Sequence, residues 1–114
     1  MVICIPVDEA GQVGPHWGRA ARVAVAAVAD GAVSDWQEFD VGWDASHDDP
    51  AGHGAHHARI VRFLREHGVD TVVAGGMGPG MVNTLGKMGI DIYHGAAGDA
   101  RAVVEQVIGL SENG

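Results

Sequence analysis

Apolar positions fall along this chain in short blocks, and their spacing switches between the two periods of regular structure, 2.0 for strands and 3.6 for helices. Val2 to Pro6 is an apolar run with β-branched residues, closed by Pro6 and Asp8, and reads as a buried strand. Residues 9–18 hold Gly11, Gly14, Pro15 and Gly18 and read as a loop. Residues 21–40 are ambiguous. Their alanines favour helix by propensity, but Val23 and Val25 alternate with Ala24 and Ala26, and Asp30-Gly31 is followed by Val33, Trp36 and Phe39. Asp-Gly between two apolar runs is a strong hairpin signal, so two antiparallel strands are predicted, roughly 21–29 and 32–40.

Residues 41–54 read as a polar loop with Asp44, His47, Asp48, Asp49, Pro50 and Gly52. Residues 55–67 carry Ile60, Phe63 and Leu64 at helical spacing, with Arg59, Arg62, Arg65 and Glu66 on other faces. They predict an amphipathic helix stopped by Gly68. A strand over 69–74, a glycine-rich turn over 75–80, a helix over 81–88, a strand over 90–93 and a helix over 99–108 follow, with a polar tail from Ser111. Asp99 stands where a capping carboxylate helps the last helix start. The order β-β-β-α-β-α-β-α combines one hairpin with two crossover units. It predicts an α/β fold, a three-layer sandwich around a mixed five-stranded sheet. With no repeat and no linker, residues 1–114 are expected to form a single domain.

Composition narrows the partners. The 114 residues are 46% hydrophobic, enough for a core without disulfides. The formal charge of −8 argues against nucleic acid and anionic membrane surfaces, and divalent cations are more natural partners. Cys4 is the only cysteine and lies in an apolar run, so it reads as a core residue. The N-terminus lacks the basic region and apolar length of a signal peptide, and no apolar stretch reaches transmembrane length; the cytoplasm is the expected compartment.

Loops at the carboxyl ends of parallel strands form the binding edge of such sheets. Here they carry residues 14–19, the turn 75–80 and His94-Gly95, and the loop rich in aspartate and histidine can lie over the same edge. The densest signal is His53, His56 and His57, three of the seven histidines within five residues. Neutral imidazole ligates zinc, copper, iron and nickel. At 3.6 residues per turn, positions four and three apart lie roughly 40° and 60° apart around a helix, so His53 can share an ion with His57 or His56. His56 and His57 themselves lie roughly 100° apart and are expected to point in different directions. The run also admits a general acid or base, or a solvated helix start. His47, Asp48, Asp49 or His16 can supply a further ligand. Gly75–Gly80 lets backbone N–H groups approach a ligand at a helix start, but lacks the lysine and Ser/Thr of a nucleotide-binding P-loop. His16 and Trp17 share a glycine-rich loop, and Arg19 can pair with a loop aspartate or hold an anion.

At these residues the chain resembles the dinitrogenase iron–molybdenum cofactor biosynthesis family, with its NifX-like and NafY-like domains. Residues 3–8, Ile-Cys-Ile-Pro-Val-Asp, resemble its first strand. Pro15-His16-Trp17-Gly18-Arg19-Ala20 resembles its His-Phe-Gly-Arg-Ala loop, with Trp17 in the aromatic place. Residues 68–79 resemble its strand and Gly-Gly-x-Gly-Pro turn, and residues 89–93 its last strand. The resemblance implies a ribonuclease-H-like layering and a nitrogenase-accessory-like module that binds iron–sulfur(–molybdenum) clusters, not a nuclease.

The leading expectation is therefore non-catalytic binding or carriage of metal. The cargo is an iron–sulfur(–molybdenum) cluster or a divalent transition ion (zinc, copper, nickel or iron), passed to a metalloprotein client. Candidate metal ligands are His53, His56 and His57; candidate cofactor contacts are His16, Trp17, Arg19, Gly76, Met77 and Gly78. The alternative is a small-molecule or anion-binding sensor built on the glycine turn. An enzyme with His16 or His57 as base is the weakest option, because no nucleophile and base stand at a recognisable spacing.

Overall fold

The computed structural model describes residues 1–46 and 53–113. Strands β1 (Val2–Pro6), β2 (Arg22–Ala29), β3 (Ala32–Asp40), β4 (Thr71–Val73) and β5 (Asp91–Tyr93) form one sheet in the order β3-β2-β1-β4-β5. β2 pairs antiparallel with both β1 and β3, while β1, β4 and β5 run parallel, so the sheet is mixed. The alanine-rich segment is thus a strand. Asp30 and Gly31 turn the hairpin with φ of 55° and 75°, the left-handed pair that a two-residue type I′ turn needs. Propensity lost to pattern at this segment: β2 lies between two strands, and its side chains alternate between two buried faces.

Helices cover both faces. On one, Cys4, Val23, Val25 and Val72 pack with Ile60 and Leu64 of α2 (His53–Glu66) and with Met81 and Leu85 of α3 (Pro79–Lys87). On the other, Ile3, Ile5, Ala24, Ala26 and Val73 pack under Val103, Val104, Val107 and Ile108 of α4 (Ala100–Asn113). Each fully buried Val, Leu or Ile contributes about 1.5–3 kcal/mol relative to exposure, so the period-2 register of the central strands sets both cores at once. Among the described residues, no helix is long and apolar enough to cross a membrane.

The elements depart from expectation at several ends: α2 starts at His53 instead of residue 55, β4 spans only Thr71–Val73 of the expected 69–74, and three further differences follow. The segment expected to be wholly polar loop contains a short helix, α1 (Trp43–Ser46), held because Trp43 is buried against Trp17 and Phe63, with ring centroids at 5.1 and 5.7 Å. α3 starts two residues before the expected Met81, with Gly78 as N-cap and Pro79 at the first helical position, where a missing N–H costs nothing. α4 starts as expected: the Asp99 carboxylate accepts from the Ala102 N–H at 2.9 Å. It then runs past Ile108 to Asn113, so the expected polar tail is helical in its backbone.

Candidate functional site

The loops that leave the carboxyl ends of β1, β4 and β5 are tied into one junction. The loop after β1 is stiffened at its start by Asp8, whose carboxylate accepts from the Ala10 and Gln12 N–H groups, both at 2.9 Å. Further on, the Gly14 N–H donates to the Pro6 carbonyl at 3.0 Å and the Trp17 N–H to the Gly76 carbonyl at 2.9 Å. From the third loop, the Gly95 N–H donates to the Gly75 carbonyl at 3.2 Å. A Cβ on Gly75 would stand 3.1 Å from the Pro15 oxygen, 3.2 Å from that of Ala96 and 3.3 Å from that of Gly14. Glycine at this position is what allows the three backbones to meet.

Trp17 anchors the centre of the arrangement. It opens a 3-10 turn, Trp17–Arg19, and its side chain is fully buried. His16 and Arg19, on either side, are exposed. His16, Trp17, Gly18, Arg19, Gly76, Met77 and Gly78 line a cleft of about 480 Å³. All six candidate cofactor contacts read from the sequence therefore share one opening. Arg19 makes no ion pair among the described residues. Its neighbour Arg22 is committed instead to Asp40 at 2.9 Å, and that hydrogen-bonded carboxylate raises the guanidinium pKa further. His94 lies outside this lining; its loop supports the junction from beneath.

The cleft continues into a smaller recess of about 150 Å³ lined by Trp17, Gly18, His56, His57, Gly78, Gly80 and Met81. Helix α2 lies across this recess with His56 turned inward, only 3% exposed, and His57 half-buried. The two imidazoles, expected to point apart, line the same recess with ring centroids 6.1 Å apart. The reason is that the recess wraps around the helix, from Gly18 on one flank to Gly80 on the other. A Cβ on Gly18 would stand 3.6 Å from His56 Nε2, and one on Gly80 would stand 3.5 Å from His57 Cε1. Gly18, Gly80 and Met81 were not among the site residues read from the sequence. Their signal was present in the glycines flanking Trp17 and Pro79, but it could be attached to histidines only in three dimensions.

The donor set is an open one. Among the described residues no three His, Cys, Asp or Glu side chains converge as a metal-binding group. Cys4 is fully buried, and burial pushes its thiol well above the usual range, so it offers no thiolate. The side chain of His53, and His47, Asp48 and Asp49 entirely, lie outside the described residues. Among the described residues, this edge presents the imidazoles of His16, His56 and His57, Arg19 and the backbone N–H groups at the start of α3. That set suits a ligand bringing its own coordination rather than an ion needing four protein ligands.

Comparison with known proteins identifies the family and the fold. The sequence model of a family described as "Dinitrogenase iron-molybdenum cofactor" matches residues 1–110. No curated protein sequence matches the chain. Among solved structures, the protein PH0822 superposes with a TM-score of 0.76 at 23% identity, covering 96% of this chain and 91% of that one. The apo form of the orange protein from Desulfovibrio gigas superposes with a TM-score of 0.77 at 24% identity, covering 95% and 87%. A Thermotoga protein provisionally assigned as NifB gives 0.62 at 24% identity, covering 97% and 87%. At these identities the likeness establishes the fold.

Proposed function

The chain belongs to the dinitrogenase iron-molybdenum cofactor family, and from that premise we propose that it binds and carries a metal cargo without transforming it. The cargo is an iron–sulfur(–molybdenum) cluster or a divalent transition ion. Its seat is the recess under α2, where His56 and His57 supply imidazole; His53, whose side chain lies outside the described residues, is kept as a proposed third ligand. The adjoining cleft of His16, Trp17, Arg19, Gly76, Met77 and Gly78 holds the rest of it. The observation that carries this reading is that His56 and His57 share one recess with Gly18 and Gly78 of the other two loops. Two imidazoles on one tetrahedral ion place their ring centroids about 5 Å apart. The observed 6.1 Å lies within about 1 Å of that separation.

The same reading takes in the setting. Helices on both faces of the sheet support the ribonuclease-H-like layering that the resemblance implies. We take residues 1–114 as a single domain acting in the cytoplasm, with a metalloprotein as client. The charge of −8 disfavours nucleic acid and anionic membranes as partners. The second reading, an anion-binding sensor, is favoured by one observation: Arg19, without an ion pair among the described residues, lines the cleft beside the glycine turn.

The test is calorimetric titration of untagged, oxygen-protected protein with zinc, copper, nickel and a preformed iron–sulfur cluster, beside a His56→Ala/His57→Ala variant. Carriage predicts at least one tight ligand for the wild type and loss of most of that affinity in the variant. Equal affinity in both proteins, or none tighter than micromolar in either, removes the carrier reading and leaves the sensor.

A further inference from the structure

Helix α2 carries charge of the opposite sign to the rest of the chain. Arg59, Arg62 and Arg65 are three of the seven Lys and Arg in a chain with 15 acidic residues, and Glu66 is the one carboxylate of the helix. All three arginines are exposed. Positions three apart lie roughly 60° apart around a helix. The arginines therefore form one stripe, apart from Ile60 and Leu64, which are buried against the sheet, and from the buried His56. Arg62 and Arg65 make no ion pair among the described residues.

A groove lies against the stripe. It has a volume of about 320 Å³ and is lined by Phe39, Val41, Trp43 and Phe63 together with Arg59 and Arg62. Phe39, Val41 and Phe63 are only half-buried, so they leave apolar surface open to solvent. Phe63 packs edge-on with Phe39 and with Trp43, at centroid distances of 5.5 and 5.7 Å. His67 closes on Phe39 at 4.7 Å and on Phe63 at 4.2 Å, and its Nδ1–H donates to the Phe63 carbonyl at 2.9 Å. These rings are fixed before anything binds, and rigid aromatics give contact area at small entropic cost. Of the two carboxylates at the groove, Asp40 is held by Arg22 at 2.9 Å, and Glu66 remains. Aromatic side chains with arginine beside them are what protein–protein interfaces enrich.

We propose that the groove and the stripe dock an acidic segment of a partner protein. An aliphatic or aromatic side chain of that segment fills the groove, and its carboxylates meet Arg62 and Arg65. Charge selects this occupant. A basic segment meets the stripe as like charge. An extended phosphate surface, of nucleic acid or of a membrane, meets the field of the whole chain at −8. A short acidic segment meets only the stripe, because charges farther than about 8 Å are screened at physiological ionic strength. The inference goes beyond the carriage reading and does not rest on it, since the groove shares no residue with the recess that holds His56 and His57.

The experiment is fluorescence anisotropy on untagged, metal-free protein with labelled Glu-Asp-Leu-Phe-Glu-Asp. The controls are Lys-Lys-Leu-Phe-Lys-Lys, which reverses the charge, and Glu-Asp-Ser-Ser-Glu-Asp, which lacks the anchor. The first peptide is expected to bind about tenfold more tightly than either control. Arg62→Glu/Arg65→Glu, at two exposed positions, is expected to lose about tenfold, and Glu66→Gln to gain about twofold. Amide NMR shifts are expected at Phe39, Val41 and Phe63. Equal affinity for the three peptides, binding undiminished in the arginine variant, shifts confined to other elements, or no binding at all overturns the proposal. Binding to phosphatidylserine vesicles but not to the peptide assigns the stripe to lipid and overturns it. A dimer that sedimentation detects and the arginine variant dissociates, without peptide binding, assigns the groove to a second copy and overturns it too. None of these outcomes alters the metal titration of His56→Ala/His57→Ala, so docking and carriage fail separately.

Discussion

Replacing Gly75 with alanine tests the junction on which the whole cleft depends. The new methyl group would meet the carbonyl oxygens of Pro15, Ala96 and Gly14 at 3.1, 3.2 and 3.3 Å. All three are backbone atoms, so no flexible side chain can swing away. Overpacking of this kind costs about 1–3 kcal/mol. Removing a glycine from the unfolded chain returns about 0.4–1 kcal/mol, which leaves a net loss of about 1.3 kcal/mol at mid-range and at most about 2.6 kcal/mol. For a domain of this size the mid-range loss lowers the melting temperature by about 5 °C. Gly86→Ala is the control. Gly86 is exposed in the last turn of α3, and a Cβ added there would meet nothing within 4 Å, so alanine gains about 0.5 kcal/mol, part of the helix-interior preference. Thermal melts of the two untagged variants, followed by circular dichroism and calorimetry, should therefore move in opposite directions. A Gly75→Ala protein that melts at or above the wild type, beside a stabilised Gly86→Ala, would refute the tight three-loop junction.

Two further outcomes are expected. Burial raises the Cys4 thiol above its ordinary range in the folded protein, so its contribution to stability is intact below the unfolded-state value of about 8.5 and declines above it by about 1.4 kcal/mol per pH unit. Urea midpoints at pH 7, 8.5 and 10 should fall more steeply for wild type than for Cys4→Ala, and parallel slopes would contradict the assignment. Asp99→Ala removes the carboxylate that receives the Ala102 N–H and should destabilise by about 1 kcal/mol in chemical denaturation; a change below a few tenths would show that the cap is unimportant.

The sheet was readable in the sequence because its signals are local. Asp30-Gly31 specifies the hairpin through backbone geometry alone, and the Val/Ala alternation of β2 reports two buried faces wherever the strand is placed. The glycine turn and the loop around Trp17 were legible as neighbours on one sheet edge because strand-end loops of parallel sheets converge. The meeting of His56 with Gly18, and of His57 with Gly80, was not legible. It depends on where α2 crosses the cleft, and that is set by Ile60 and Leu64 docking on the sheet, three-dimensional contacts with no sequence spacing of their own. The short helix at Trp43 was missed for a related reason. One buried tryptophan held by Trp17 and Phe63 outweighs the polar residues around it.

The burial of Cys4 in β1 bears on the direction in which cargo moves. On the carriage reading, imidazole nitrogen holds the metal, N–H donors stand beside it, and no thiolate is committed to it. Thiophilic metals bind thiolate more strongly than imidazole. On the carriage reading, a client that offers cysteine therefore binds the cargo more tightly, and delivery to it runs downhill with no nucleotide hydrolysed. Return transfer is opposed by the same difference. With its one thiol locked inside the sheet, the protein on that reading donates in any exchange with a thiolate-bearing acceptor.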